Sequence, residues 1–270
     1  MGRRSEGANS GVLFEALEPR LLLDGNVTAK VVKGSLKVTG DGADNRINIE
    51  AGPSSGVFIV SRDDGTTTVN GGVADTLTGV TKHVKISMKG GNDQVTIDNV
   101  DVPRKLIAKT GLGNDKLTIS HVDVDRKATM NTGWGDDTIT LDCADFRGKA
   151  TMNTRAGEDT VTIDFVDFRR SARIQTGAGR DQVSIEGTDF YGWTRLAMGG
   201  NRDRLDIDGA TFRAWLSVGL GSGNDYLWVR DCSAWKGCLV DAGSGWDTFE
   251  EGGGNTGSGY DKWINFENSV

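Results

Sequence analysis

The sequence predicts an all-β chain: a right-handed parallel β-helix of about eight coils, with three short strands per coil and a hairpin cap at the N-terminal end. Three observations carry this. Aspartates recur every 22 residues, at Asp93, Asp115, Asp137, Asp159, Asp181, Asp203, Asp225 and Asp247, with no insertion or deletion between them. Apolar residues fall in columns of the same period, and a fixed period of this size marks a solenoid in which stacked coils share one core. Glycine is abundant (39 of 270 residues) and proline scarce (3), which suits many tight turns between short strands rather than a Pro-rich linker.

In chain order, residues 1–25 lie before any repeat and hold one isolated apolar segment at 12–24. Residues 26–76 form a cap. Val27, Ala29 and Val31 alternate with polar residues, Lys33-Gly34 turns, and Leu36 and Val38 return as a hairpin. A degenerate first rung follows, with Asn45 in the aspartate's place and Ile47 and Ile49 after it. Val57–Val60 and Thr66–Val69 flank Arg62-Asp63-Asp64-Gly65 and read as a second hairpin. The repeats span 77–251. A Gly-rich loop and a closing segment with Trp263, Ile264 and Phe266 occupy 252–270.

Within one coil, counted from the aspartate, the inward positions come in pairs two residues apart, the period of a strand. The first pair is +2 and +4, as Ile139 and Leu141. The second is +7 and +9, as Val166 and Phe168. The third is +13 and +15, as Ala128 and Met130. The phase shifts between pairs are corners, and parallel crossovers of this kind are right-handed. Coils stacked about 4.8 Å apart give a rod roughly 35–40 Å long.

Composition narrows the function classes. The net charge of −7 is modest and mixed, so nucleic acid is not an expected partner, since phosphate binding needs a concentrated basic surface. Three cysteines make no disulfide scaffold, although Cys232 and Cys238 fall in inward columns of one coil. No apolar run reaches the roughly 18 residues that span a bilayer, and Arg3-Arg4 is followed by no apolar core, so a conventional cleaved signal peptide is not expected.

Each coil carries a turn such as Gly111-Leu112-Gly113-Asn114-Asp115-Lys116-Leu117. Stacked aspartates about 5 Å apart repel by roughly 1 kcal/mol in water and by several-fold more at low dielectric. Two devices would offset this: a calcium ion bridging successive rungs, or hydrogen bonds from the turn's own amides. Asn92, Asn114, Asp136 and Glu158 leave the sites at Asp93, Asp115, Asp137 and Asp159 anionic, whereas Arg180 and Arg202 stand beside Asp181 and Asp203, which favours calcium in the N-terminal rungs. These turns resemble the calcium-binding G-G-x-G-x-D repeat of RTX proteins, with Thr110, Thr132, Thr154 and Thr176 where the first Gly stands in that repeat. The resemblance implies calcium as a cofactor at Asp93, Asp115, Asp137, Asp159 and Asp225. A second resemblance lies in Leu17-Glu18-Pro19-Arg20-Leu21-Leu22-Leu23, with Phe14-Glu15-Ala16 before it, which is similar to the LEPR-xLL motif of large bacterial surface and secreted proteins. It implies an extracellular or cell-surface location and an envelope component as partner.

The remaining columns point less sharply. Paired carboxylates, such as Asp142 with Asp145 and Asp164 with Asp167, have the spacing of a glycosidase pair. They recur in nearly every coil, however, and an active site is a single break in symmetry, so no enzyme is expected. Arg147, Arg169 and Arg213 read as members of a surface charge network, and an outward Thr96, Thr118, Thr140, Thr162 ladder reads as strand propensity. The aromatics Tyr191, Trp193, Trp215 and Trp235 face outward and are candidates for stacking on a sugar or partner. His83 and His121 are read as lone residues. Taken together, the residues and resemblances predict a non-catalytic surface β-helix with a structural or adhesive role, with a calcium-binding module and a polysaccharide-binding or polysaccharide-active protein as alternatives.

Overall fold

The computed structural model describes residues 25–257, 262–264 and 268–269, whose regular structure is all strand. The LEPR-like segment and Phe266 lie outside the described residues. The chain is a β-solenoid of about eight turns with three sheets. Sheet 1 stacks seven-residue strands such as Ala128–Trp134, sheet 2 five-residue strands such as Thr138–Asp142, and sheet 3 two-residue strands such as Asp145–Phe146. Through the repeats, strand residues pair with those 22 positions on, as Ala128 with Ala150 and Thr138 with Thr160, so the sequence period is the structural pitch.

The alternating columns close on one core. Ile139, Leu141, Phe146, Ala128 and Met130 are all fully buried. In sheet 3 the core becomes an aromatic stack: Phe146, Phe168, Phe190 and Phe212 lie with centroids 5.3, 5.0 and 4.8 Å apart and planes within 11°. An inward column at +17 goes unforeseen by the sequence reading. Thr110, Thr132, Thr154 and Thr176 are buried, followed by Met198, Leu220 and Ala242. It extends the +13, +15 alternation by one step, and three of its four buried hydroxyls are tied down: Thr110, Thr154 and Thr176 donate to the carbonyls of Thr132, Thr176 and Met198 one rung on, at 3.1, 3.2 and 2.8 Å.

The cap departs from the expected pairing. β1 (Gly25–Val32) and β2 (Ser35–Thr39) form the predicted hairpin, with Lys33 and Gly34 at positive φ in its turn. β3 (Arg46–Ala51) is the degenerate rung, parallel to Gln94–Asp98. The second hairpin does not form as predicted. β4 (Phe58–Arg62) folds back on β3, while β5 (Thr67–Val69) crosses to pair with β1, and β6 (Ala74–Leu77) takes the place beside β4. β5 is buried at all three positions, so it serves as an end plate rather than a hairpin arm. The first sheet 1 strand with the 22-residue pairing is Val84–Gly90. At the other end the stack runs past Glu251: Thr256–Gly257 pairs with Ser233–Ala234, Lys262–Ile264 with Leu239–Asp241, and Asn268–Ser269 with Thr248–Phe249.

Phe168 is fully buried and stacked on both faces. Phe168→Ala is expected to lower the unfolding free energy by about 3–5 kcal/mol, read as a fall in the urea midpoint.

Candidate functional site

The Asp turn joins sheet 1 to sheet 2. Rungs stacked at strand spacing leave no room for a Cβ on its inner side: one built on Gly133 would lie 1.8 Å from the Gly111 carbonyl oxygen, and one on Gly135 would lie 2.3 Å from that of Gly113. Both glycines sit at positive φ, where they cost least.

The turn aims the aspartate inward, where it is 0–2 % exposed. Its partner is not its own turn but the rung before it. The Asp93 amide donates to Asp115 Oδ1, the Asp115 amide to Asp137 Oδ1 and the Asp137 amide to Asp159 Oδ1, each at 2.8 Å, and the series continues to Asp247. At its start the amide and side chain of Asn45 both donate to Asp93 Oδ1, at 2.9 and 3.0 Å. One residue earlier an outer series runs the other way. Asn92 Oδ1 accepts from the Asn114 amide, Asn114 Oδ1 from the Asp136 amide and Asp136 Oδ1 from the Glu158 amide, at 2.8–2.9 Å. Each of these turns is thus tied upward by one carboxyl and downward by one side-chain oxygen.

The second oxygen, Oδ2, of Asp93, Asp115, Asp137, Asp159, Asp181, Asp203 and Asp225 is buried without a donor. Burial accordingly pushes Asp93 and Asp137 up to about 7, Asp159 and Asp225 to about 6, and Asp203 to about 8, against partial relief from the amide bonds. Asp115 and Asp181 move the same way, with Thr110 and Thr176 favouring their charged forms.

Calcium takes six to eight oxygens at about 2.3–2.6 Å. The ladder provides one free, buried oxygen per aspartate. The residues as folded do not fit that ion. A proton needs no shell and relieves the same buried charge.

The opposite corner gathers the carboxylate pairs. Arg147 bonds Asp123 Oδ2 at 2.5 Å and Asp125 Oδ1 at 2.6 Å; Arg169 bonds Asp145 at 3.1 Å and Asp167 at 2.6 Å; Arg213 bonds Asp189 at 3.1 Å. Tyr191 lies between Arg169 and Arg213, at 4.8 and 4.7 Å from ring centre to guanidinium, and Arg213 also covers Trp235 at 4.8 Å. The four candidate aromatics therefore split. Tyr191 and Trp235 are engaged by arginines, whereas Trp193 and Trp215 sit one above the other, half exposed (50 and 51 %), at the next corner.

The corner after sheet 2 holds a set the sequence reading missed. His121 and Cys143 share position +6 with φ near +50°, so stacking brings them together, and with Asp142 their ligand atoms lie within 4.8 Å of one another. Such an imidazole, thiol and carboxylate set suits a borderline-soft ion better than calcium. Asp142, by hydrogen bond and by charge, pushes the Cys143 thiol up and holds it protonated. The common 22-residue offset of His121 and Cys143 was the available signal. Cys232 and Cys238 are both buried free thiols.

Compared with models of protein families, with curated proteins and with solved structures, the chain matches none. Among the described residues no helix is long and apolar enough to cross a membrane.

Each raised carboxyl holds its proton more tightly in the folded than in the unfolded state. The folded chain therefore binds more protons from about pH 4 upward, and stability is lost as pH rises through the folded values of about 6 to 8. A melting-temperature profile is expected to fall between about pH 5 and pH 8 and to level off above. Asp137→Asn keeps an acceptor for the Asp115 amide and should shrink that fall. Asp137→Ala orphans the amide and should cost about 1–3 kcal/mol at pH 5, measured by urea unfolding.

Proposed function

We propose that this chain is a non-catalytic solenoid module of a bacterial surface or secreted protein, acting as a rigid structural or adhesive element. The observation that supports it most is the constancy of the coil. From Leu106–Leu112 to Cys238–Ser244 the strands of sheet 1 pair without a shift of register, and the corners between sheets hold only a few residues. No long loop walls a cleft there, and in the pairs that have glycosidase spacing one member, Asp145 or Asp167, is already engaged by Arg147 or Arg169. Catalysis needs one rung unlike its neighbours, with groups free to touch a substrate. Repeated, ion-paired rungs serve rigidity and display.

The LEPR-like segment supports the surface location by resemblance. The calcium reading draws little support from the ladder, where the amides of neighbouring rungs already take one oxygen of each carboxyl.

Fractionation of bacteria expressing the tagged full chain is expected to place it in the envelope or the medium. A wholly cytoplasmic pool would count against the reading, as would polysaccharide turnover abolished by one carboxylate substitution. Added calcium or chelator should leave the melting temperature at pH 8 unchanged.

A further inference from the structure

The net charge of −7 hides a segregation of charge. At the corner between sheet 3 and sheet 1, successive rungs carry Lys82 and Lys85, then Arg104 and Lys105, then Arg126 and Lys127. The next rungs continue with Lys149, with Arg170 and Arg173, and with Arg195. None of these cations forms an ion pair among the described residues, whereas the arginines of the neighbouring acidic column, Arg147, Arg169 and Arg213, all do. The Nε of Arg173 is buried with no hydrogen-bond partner. A groove of about 720 Å³ follows this edge, lined by Arg104, Lys105, Arg126, Lys127 and Arg170, with one carboxylate, Asp125, that is ion-paired to Arg147. The local field registers on a neighbour: burial first, then Lys85, Lys105, Arg104 and Lys82, hold His83 below the ordinary imidazole value. In the same outward column as Lys105, Lys127 and Lys149 stand Trp193 and Trp215, half exposed.

We propose that this corner binds a linear acidic polysaccharide laid along the solenoid axis, its carboxylates on the cation rungs and its sugar rings on Trp193 and Trp215. This rests on the adhesive reading above and names its ligand class. The stripe is about 30 Å long at the strand spacing of about 4.8 Å, and a sugar unit of an extended polyuronate is about as long as one rung. Unpaired cations on a rigid column meet such a chain without rearrangement, and the flat indoles offer apolar faces to sugar rings. A nucleic acid fits less well. Duplex DNA places a charge about every 1.7 Å of axis, and a single strand is held by aromatics interleaved with its phosphate contacts, whereas here the indoles stand only at one end of the stripe, beside Arg195. The premise on which a nucleic-acid partner was set aside, the lack of a concentrated basic surface, does not hold at this corner.

The test is titration of the full chain with an oligogalacturonate spanning the stripe, followed by NMR of its two imidazoles, since the chain has 2 histidines. Binding at the stripe is expected to raise the pKa of His83 and leave His121, at another corner, unmoved. Affinity should fall steeply with added salt. It should fall at least about tenfold in a variant carrying R104Q, R126Q and R170Q, and by about as much at high salt in one carrying W193A and W215A. Removing Lys116, Arg180 and Arg202, exposed at the Asp turn, should change it little. All variants are checked by melting temperature. No binding at low salt, equal loss in both charge variants, or equal affinity for oligothymidylate would overturn the inference and leave the surface reading standing. Shortening of the oligosaccharide during titration would instead contradict the non-catalytic reading.

Discussion

The main-chain N–H of one aspartate bonds to the carboxyl of the next, rung after rung, and this bond sets the form of the turn. It exists only because chain segments 22 residues apart are vertical neighbours at strand spacing. That spacing leaves no place for a Cβ at Gly133 and Gly135, points the carboxyl inward and buries its second oxygen. Together with the oppositely directed outer series at Asn92, Asn114 and Asp136, it locks register at this corner. Its cost is a column of buried carboxyls, and burial answers by raising their affinity for protons.

Much of this was legible in the sequence because the repeat makes one coil a template for the rest. Ile139, Leu141, Phe146 and Met130 announce their burial by period-two spacing, and the column rule carries them through every rung. The aspartate turn was legible as a motif, but its bonding was not. The sequence cannot say whether a carboxyl takes its own turn's amide or the neighbour's, since both lie within reach of the same side chain. Thr110 at +17 was passed over for a related reason: a hydroxyl in an apolar column reads as polar until its partner one rung away, the Thr132 carbonyl, is known.

Where the repeat ends, legibility ends with it. β4 and Thr67–Val69 have the composition of two hairpin arms, yet Thr67–Val69 leaves for β1 because the open end of the core needs a cover there. Side-chain partnerships on the surface were also out of reach. Arg213 reads as a surface charge, and only the stacking of coils places it over both Tyr191 and Trp235. The same stacking assembles the basic corner from residues that are scattered through the sequence and diluted in its net charge. In a solenoid, function is written down columns, and a sequence is read along rows.

The account turns on the aspartate ladder being a buried, proton-binding column. Carbon-13 NMR of the chain labelled at aspartate carboxyls measures this directly. A group of carboxyls titrating with midpoints between about 6 and 8 is expected, and their signals should move together as neighbouring rungs sense one another. Midpoints that all lie near the ordinary aspartate value of 3.8 would show an ionised, solvated turn column and contradict the account.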